Sequence, residues 1–154
     1  MNERFIENLE HRQLLSAFVT GHHAPDASIA AVVQPLATKK IPRVVGRWEG
    51  YEKFRVGSTW TTMDLVVKVT KQDSKGNFWA KGWLPQDSKS SYSFTGKVGA
   101  NRKFTYKISG RNRYGPDYGS GTGTLNASAT VINGNGNWHQ GGQTGPTAFH
   151  LERT

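Results

Sequence analysis

The stretch Val44-Val45-Gly46-Arg47-Trp48-Glu49-Gly50 marks the point at which the composition of this 154-residue chain changes. Only one of the 18 glycines, Gly21, precedes residue 41, and all five tryptophans lie after residue 41. Within the stretch, Val44, Gly46 and Trp48 are spaced by two residues, which is the period of a β-strand. We therefore interpret it as the first strand of a β domain that occupies the rest of the chain.

The sequence after this stretch contains further strand patterns, separated by turn residues at intervals of about ten residues. The clearest strand covers positions 62–70, where Met63, Leu65, Val67 and Val69 share one face. Further segments rich in aromatic and β-branched residues follow the same pattern. The predicted strands lie at positions 44–54, 60–70, 77–84, 92–98, 104–108, 118–125, 132–138 and 149–153.

Short connections between these segments predict an antiparallel meander, because parallel strands need long crossover segments. Eight strands suffice to close into a barrel whose interior is filled or holds one small ligand. Glycines inside the predicted strands favour the sharp coiling of a narrow barrel. They are Gly82, Gly96, Gly119, Gly121, Gly123, Gly134 and Gly136. The sequence therefore predicts an all-β fold, an eight-stranded antiparallel up-and-down barrel.

Residues 1–40 differ from the rest of the chain and are predicted to form a separate N-terminal segment. Apolar residues with loose helical spacing predict a short helix from Asn2 to about Phe18. Prolines and small residues then predict a flexible linker without a core of its own. We assign residues 1–40 to this helix and linker, and residues 41–154 to the barrel domain.

The formal net charge of +9 comes wholly from the predicted barrel, because residues 1–40 carry four basic and four acidic side chains. Of the 20 basic and 11 acidic residues, 16 and 7 therefore lie in residues 41–154. Such a surplus favours anionic partners such as acidic polysaccharide, nucleic acid or a phospholipid surface. The basic residues are scattered along strands and turns, so a hydrated surface is the favoured interpretation.

The segment Leu9-Glu10-His11-Arg12-Gln13-Leu14-Leu15-Ser16-Ala17 resembles the LEPR-XLL type of N-terminal segment in bacterial secreted and surface proteins. The leucine, glutamate, arginine and Leu-Leu pair fall in register, while His11 stands where that pattern has proline. The resemblance implies sorting to an extracytoplasmic location, whereas an amphipathic helix without a targeting role is the alternative. No apolar run reaches the length of about 18 residues that a membrane-spanning helix needs.

Gly46-x-Trp48 in the first predicted strand and Phe149-x-Leu151-x-Arg153 in the last resemble the calycin group of lipocalin-like and avidin-like barrels. The resemblance implies that Trp48 closes one end of the barrel and that Arg153 packs across it. Such a cation–π contact contributes about 0.5–2 kcal/mol. The alternative is that Trp48 is ordinary core and Arg153 a frayed terminus.

The residues that usually carry catalysis or bind metals form no recognisable set. The chain has no cysteine, and the adjacent His22 and His23 lack a third ligand at a set spacing, so we predict no metal site. The carboxylates after residue 40, Glu52 and Asp117 among them, are assigned mostly to turns or outward faces. The glycine runs do not precede a helix as phosphate-binding loops do. We therefore predict no catalytic residues and no cofactor.

A candidate surface site lies on the third strand, where Trp79, Lys81 and Trp83 share one face and Phe78 begins the other. If the tryptophans face outward, they flank a lysine at a separation of about 13 Å and can stack on the sugar rings of an acidic glycan. In the opposite register both tryptophans fill the core, which is the usual outcome for large aromatic residues. We favour that second register, and we disfavour single-stranded nucleic acid because no recognition motif accompanies the aromatics.

A second candidate site is the lumen of the barrel, where a small hydrophobic molecule could bind. So many aromatic residues face inward that we expect the interior to be mostly filled. An enzyme of cyclase or isomerase type would need an open lumen with Tyr106 or His139 pointing into it. The favoured interpretation is a non-catalytic extracytoplasmic binding or structural module, with an acidic polysaccharide or a small molecule as ligand. The predicted lumen residues are Met63, Leu65, Tyr92, Phe94, Phe104 and Tyr106.

Overall fold

A computed structural model describes residues 39–154, which form a single β-sheet that closes on itself. The predicted N-terminal helix and most of the linker lie outside these residues. Residues 39–154 contain no helix, and hence none long and apolar enough to cross a membrane. The strands are β1 (Gly46–Val56), β2 (Thr59–Gln72), β3 (Asn77–Trp83), β4 (Ser91–Val98), β5 (Lys103–Asn112), β6 (Gly115–Leu125), β7 (Val131–Gln140) and β8 (Gln143–Arg153).

Every strand pairs antiparallel with the next along the chain, and β8 returns to pair with β1. The closing register places Trp48 of β1 opposite Arg153 of β8. No strand is therefore left with an unpaired edge. The prediction of an all-β, eight-stranded antiparallel up-and-down barrel is confirmed. However, β5 extends as far as Asn112 and β8 begins already at Gln143, so the barrel is taller than the sequence pattern indicated.

The two ends of the barrel differ in chemistry. We call the end with the turns at 73–76, 99–102 and 126–130 the sealed end, and the opposite end the mouth. At the sealed end the indole nitrogen of the fully buried Trp48 donates to the carbonyl oxygen of Val44, at 2.9 Å. The side chain of Gln72 accepts from the Val44 amide and donates to the carbonyl oxygen of Pro42. These bonds hold the segment before β1 against the apolar core.

Glycines inside the strands lie opposite the aromatic rings that fill the lumen. Tyr106 of β5 pairs with Gly121 of β6, whose partner in β7 is Gly136. A Cβ atom at either glycine would lie 2.7 or 2.6 Å from the Tyr106 hydroxyl oxygen, which is closer than Cβ atoms approach other atoms. Similarly, a Cβ atom at Gly134 would overlap the ring of Phe149. These glycines are therefore needed for ring packing, in addition to the coiling that the sequence pattern indicated.

Candidate functional site

The interior of the barrel is largely filled by aromatic rings and leaves a cavity of about 70 Å³. The ring centroids of Tyr106 and Phe149 lie 5.4 Å apart in an edge-to-face arrangement, and Phe104 lies 6.3 Å from each. The cavity has about half the volume of the roughly 150 Å³ engineered cavity that binds benzene. The lumen can therefore hold a few non-hydrogen atoms but, without side-chain movement, no larger ligand.

Glu52 on β1 borders this cavity, although the sequence pattern assigns the carboxylates after residue 40 mostly to turns or outward faces. That assignment is wrong, because Glu52 lies four residues after Trp48 and so shares its inward face. The side chain retains some exposed surface because it borders the cavity, yet protein atoms surround its carboxyl. Burial raises the pKa of Glu52 above its ordinary value, and the nearby charge of Asp117 acts in the same direction.

Thr147 on β8 holds one oxygen of this carboxyl group. Its hydroxyl lies 2.6 Å from Glu52 Oε1 and 3.1 Å from the carbonyl oxygen of Lys53. A hydroxyl group has only one proton to donate. Thr147 donates it to Glu52 Oε1, with the Lys53 carbonyl as a second, longer acceptor, so the proton of a neutral Glu52 lies on Oε2. This hydrogen bond lowers the pKa of Glu52, but burial of the carboxyl is the larger effect and raises it.

Two polar atoms open into the cavity without a partner from the described chain. Glu52 Oε2 and the hydroxyl oxygen of Tyr106 make no hydrogen bond within residues 39–154. Among these residues, however, no side-chain oxygen or nitrogen is both buried from solvent and unpaired. Both atoms are therefore accessible to a water-sized molecule inside the lumen. Burial also raises the pKa of Tyr106, and the charge of Glu52 raises it further, so its hydroxyl stays protonated.

A hydrogen-bonded group of four side chains spans β4 to β7 at the mouth. Asn112 donates to the hydroxyl oxygen of Tyr92 at 3.2 Å, and Tyr92 donates to Asp117 at 3.3 Å. Gln140 donates to the side-chain oxygen of Asn112 at 2.7 Å. Burial raises the pKa values of both Asp117 and Tyr92. The mouth thus carries a polar network above the mostly apolar lumen.

The predicted lumen residues all lie on inward faces, but they do not all border the cavity. Leu65, Phe94, Phe104 and Tyr106 line it. Tyr92 is buried in the network at the mouth. Met63 is partly buried and packs against the core cluster. The sequence pattern therefore assigned these residues to the interior but missed the polar groups among them, Glu52, Asp117 and Thr147.

The third strand has the register that we disfavoured on sequence. Trp79 is 40% exposed and Lys81 is exposed, while Trp83 is half-buried on the same outer face. The guanidinium of Arg47 lies 5.3 Å from the ring centroid of Trp83 and partly covers it. Phe78 of the same strand instead contributes to the buried core.

The sealed end has the contact that the calycin resemblance implied. The guanidinium carbon of Arg153 lies 5.6 Å from the ring centroid of Trp48. Arg153 also donates to the carbonyl oxygens of Arg43 and Val45, so its side chain is held in place. His139, in contrast, is exposed on the outer face of β7 and does not point into the lumen.

No protein-family model matches the sequence, and no curated protein matches it at a significant level. Within residues 39–154, no group of three or more histidine, aspartate or glutamate side chains is placed to hold a metal ion. The cavity is lined by carboxyl, hydroxyl, amide and apolar side chains, and by no lysine, arginine or histidine among the described residues. Its wall is therefore mostly apolar and carries two carboxyl groups, those of Glu52 and Asp117.

Proposed function

We propose that the protein is a non-catalytic binding module whose lumen holds a small, neutral, mostly apolar molecule with one hydrogen-bond acceptor. The observation that carries this proposal is the pair of polar atoms without a partner in residues 39–154, Glu52 Oε2 and the Tyr106 hydroxyl oxygen, in a mostly apolar cavity. Pockets with apolar walls and a few convergent polar groups are typical of small-molecule sites. A protonated Glu52 and the Tyr106 hydroxyl can each donate a hydrogen bond to the acceptor of the ligand.

The charge of the ligand follows from the same environment. An anion finds no basic side chain on the described cavity wall. A cation would meet a carboxyl whose ionised form is itself disfavoured by burial, and both partners would have to lose their hydration. A neutral ligand needs neither a basic partner nor an ionised Glu52, so it avoids the free-energy cost that either kind of ion would meet. The raised pKa of Glu52 therefore supports a neutral ligand rather than an ionic one.

The proposal can be tested with four probes of equal size: acetone, isobutane, acetate and isopropylammonium. A ligand of four non-hydrogen atoms gains at most about 6 kcal/mol, which corresponds to a Kd of about 40 μM or weaker. We therefore expect acetone to shift the NMR signals of lumen residues such as Phe149 at millimolar concentrations. Acetate and isopropylammonium should leave these signals unchanged. Tighter binding of the ammonium than of acetone would contradict the proposal.

Variants of Glu52 make the test specific. Binding of acetone should weaken as the pH rises through the raised pKa of Glu52, because the carboxylate cannot donate. Glu52→Gln keeps a donor, so acetone should still bind but independently of pH. Glu52→Leu should abolish acetone binding and preserve isobutane binding. Glu49→Gln, on the exposed face of the same strand, is the matched control and should behave as wild type.

A lumen enzyme of cyclase or isomerase type is the alternative, and one observation favours it. Glu52 has a raised pKa and opens into the same cavity as the Tyr106 hydroxyl, which suits general acid–base chemistry. Acetone in D2O distinguishes the two functions, since an enzyme that removes a proton next to a carbonyl would place deuterium in its methyl groups. If the protein is a binding module, the rate of deuterium exchange into acetone should be the same with the wild type and with Glu52→Gln.

We also propose that the protein is exported from a bacterial cytoplasm and that its barrel is calycin-like. The support for export is the resemblance of residues 9–17 to LEPR-XLL segments. The support for the barrel type is its closed eight-stranded topology, together with Arg153 packed over Trp48. Fusion of the full chain to alkaline phosphatase, which is active only outside the cytoplasm, tests the export. An inactive fusion that is nevertheless well expressed would contradict it.

A further inference from the structure

The strand registers bring basic side chains together that are far apart in sequence. On the outer face, Arg47 of β1 lies opposite Lys68 of β2, and Lys68 lies opposite Lys81 of β3. Like charges in directly opposite positions destabilise a sheet. Arg47 forms an ion pair with Glu49, but within residues 39–154 neither Lys68 nor Lys81 has an acidic partner. The basic residues are therefore clustered, and the interpretation of scattered charges is wrong for this face.

A shallow groove continues this basic surface across β3 to β6. Its wall contains Trp79, whose ring is 40% exposed, and the lysines Lys97 and Lys107. The ammonium group of Lys71 lies 5.2 Å from the ring centroid of Trp79 and borders the groove. Between these groups the wall carries hydroxyl side chains, namely Thr95, Thr105, Ser120 and Thr122. We call this surface the basic groove.

The outer faces of β6 and β7, whose Ser120 and Thr122 form the edge of the basic groove, carry none of its positive charge between residues 118 and 137. The outward residues along the centre of these two strands carry hydroxyl and amide groups and no lysine or arginine. They are Ser120, Thr122 and Thr124 on β6, and Asn133, Asn135 and Asn137 on β7. The positive charge is thus concentrated on one side of the barrel, as expected of a surface that meets a polyanion.

We propose that the basic groove binds an acidic polysaccharide. The flat exposed ring of Trp79 can stack on a sugar ring, the lysines can pair with its carboxylate or sulfate groups, and the threonine and serine hydroxyls can bond to sugar hydroxyls. Single-stranded nucleic acid fits less well, because its binding surfaces stack successive bases on several aromatic side chains. The basic groove contains only one outward-facing aromatic ring, that of Trp79.

The test measures binding of the full chain to polygalacturonate by titration calorimetry at low ionic strength. Trp79→Ala should weaken binding about tenfold, the scale of one lost aromatic contact. The matched control is Trp60→Ala, which removes a tryptophan that is 50% exposed outside the groove. The double variant Lys97→Gln/Lys107→Gln should also weaken binding, whereas Lys53→Gln/Lys89→Gln removes the same charge elsewhere and should have a smaller effect.

Two further comparisons identify the chemistry of the partner. Raising the salt concentration should weaken binding, because the screening length falls from about 10 Å at 0.1 M to about 3 Å at 1 M. Neutral dextran should not bind, and poly(dT) should bind more weakly than polygalacturonate. Equal losses for the Trp79 and Trp60 variants, or tighter binding of poly(dT), would overturn the proposal. Glu52→Gln should leave polygalacturonate binding unchanged, since Glu52 lines the lumen and not the basic groove.

Discussion

Glu52 illustrates how a single side chain acquires its properties from the strand that carries it. The alternation of β1 turns it inward with Trp48, so its carboxyl lies among aromatic rings rather than in water. Removing a carboxylate from water is unfavourable, and the group responds by retaining its proton. Burial of this carboxyl lowers the stability of the fold at high pH, and it also keeps a hydrogen-bond donor in the lumen. Within residues 39–154, Thr147 is the only residue that forms a hydrogen bond with the carboxyl group of Glu52.

The raised pKa of Glu52 predicts how stability depends on pH. Above about pH 4.5 the unfolded chain has lost the Glu52 proton, whereas the folded chain keeps it until its higher pKa is reached. The free energy of unfolding should therefore fall as the pH rises across this interval, by about 1.4 kcal/mol for each unit by which the pKa is raised. In Glu52→Gln this fall should be reduced. Urea unfolding of both proteins from pH 4 to 9 measures the difference.

Glu49 on the same strand provides the control for this prediction. It is partly exposed and forms an ion pair with Arg47 on the outer face. Glu49→Gln should therefore retain the pH dependence of the wild type. If Glu52→Gln and Glu49→Gln have the same pH profile, then the lumen does not keep Glu52 protonated. The raised pKa of Asp117 acts in the same direction as that of Glu52 and should remain visible in both variants.

At the scale of the strand, the central parts of β6 and β7 form a wall without inward side chains, between Asp117 and Leu125 on β6 and between Ile132 and Trp138 on β7. Gly121, Gly136 and Gly134 leave this wall as bare backbone, and the rings of Tyr106 and Phe149 pack against it. A glycine inside a strand usually weakens it, and an aromatic ring that covers the glycine offsets part of that loss. Each of these glycines is therefore stabilised by the aromatic side chain of another strand that packs against it.

This dependence predicts a rescue at Gly134. The three heavy atoms nearest to a Cβ atom at that position all belong to the ring of Phe149. Gly134→Ala should therefore destabilise the barrel by about 1–3 kcal/mol through overpacking. In Gly134→Ala/Phe149→Leu the smaller side chain leaves room for the methyl group. Thermal unfolding of the two single variants and the double variant measures the coupling.

The expected coupling is favourable by about 0.5–3 kcal/mol, so the double variant should lose less stability than the sum of the single variants. Asn135→Ala changes the neighbouring exposed position on β7 and should leave stability almost unchanged. If the stability losses of Gly134→Ala and Phe149→Leu are strictly additive, then packing of the Phe149 ring does not depend on a glycine at position 134.

At the scale of the whole barrel, stability comes from the pairing of β8 with β1 and from the contacts at the sealed end. Closure between β1 and β8 joins residues that are about a hundred positions apart in sequence, such as Trp48 and Arg153. The sealed end needs in addition the segment before β1, where Val44 is buried and bonded to Gln72. The barrel domain therefore includes the segment that directly precedes its first strand.

Two truncations test this boundary. A chain that begins at Lys39 retains the sealed-end contacts of residues 39–154 and should fold into the barrel. A chain that begins at Gly46 retains all eight strands but loses Val44, whose burial is worth about 1.5–3 kcal/mol. It should therefore unfold at a lower temperature in circular dichroism measurements. Equal melting temperatures would show that the strands alone determine stability and that the preceding segment is dispensable.

The sequence by itself determined the number of strands, their antiparallel order and the inward faces of β2, β4 and β5. These features are local, because strand alternation and turn chemistry depend on neighbouring residues. Only the tertiary structure decided the register of β3. Phe94 already fills the lumen there, and a Cβ atom at Gly82 would lie 2.6 Å from its ring, so the face with the small residues turns inward. The larger Trp79 and Trp83 are left outside.

The tertiary structure also decided which charges act together. Lys68 and Lys81 become neighbours only through the pairing of β2 with β3, and the basic residues look scattered in the sequence. Glu52 and Tyr106 meet in one cavity only because β1 and β5 lie on opposite sides of a closed sheet. Both the basic groove and the lumen site therefore result from closure, since residues far apart in a chain acquire common surroundings only when the sheet curves back on itself.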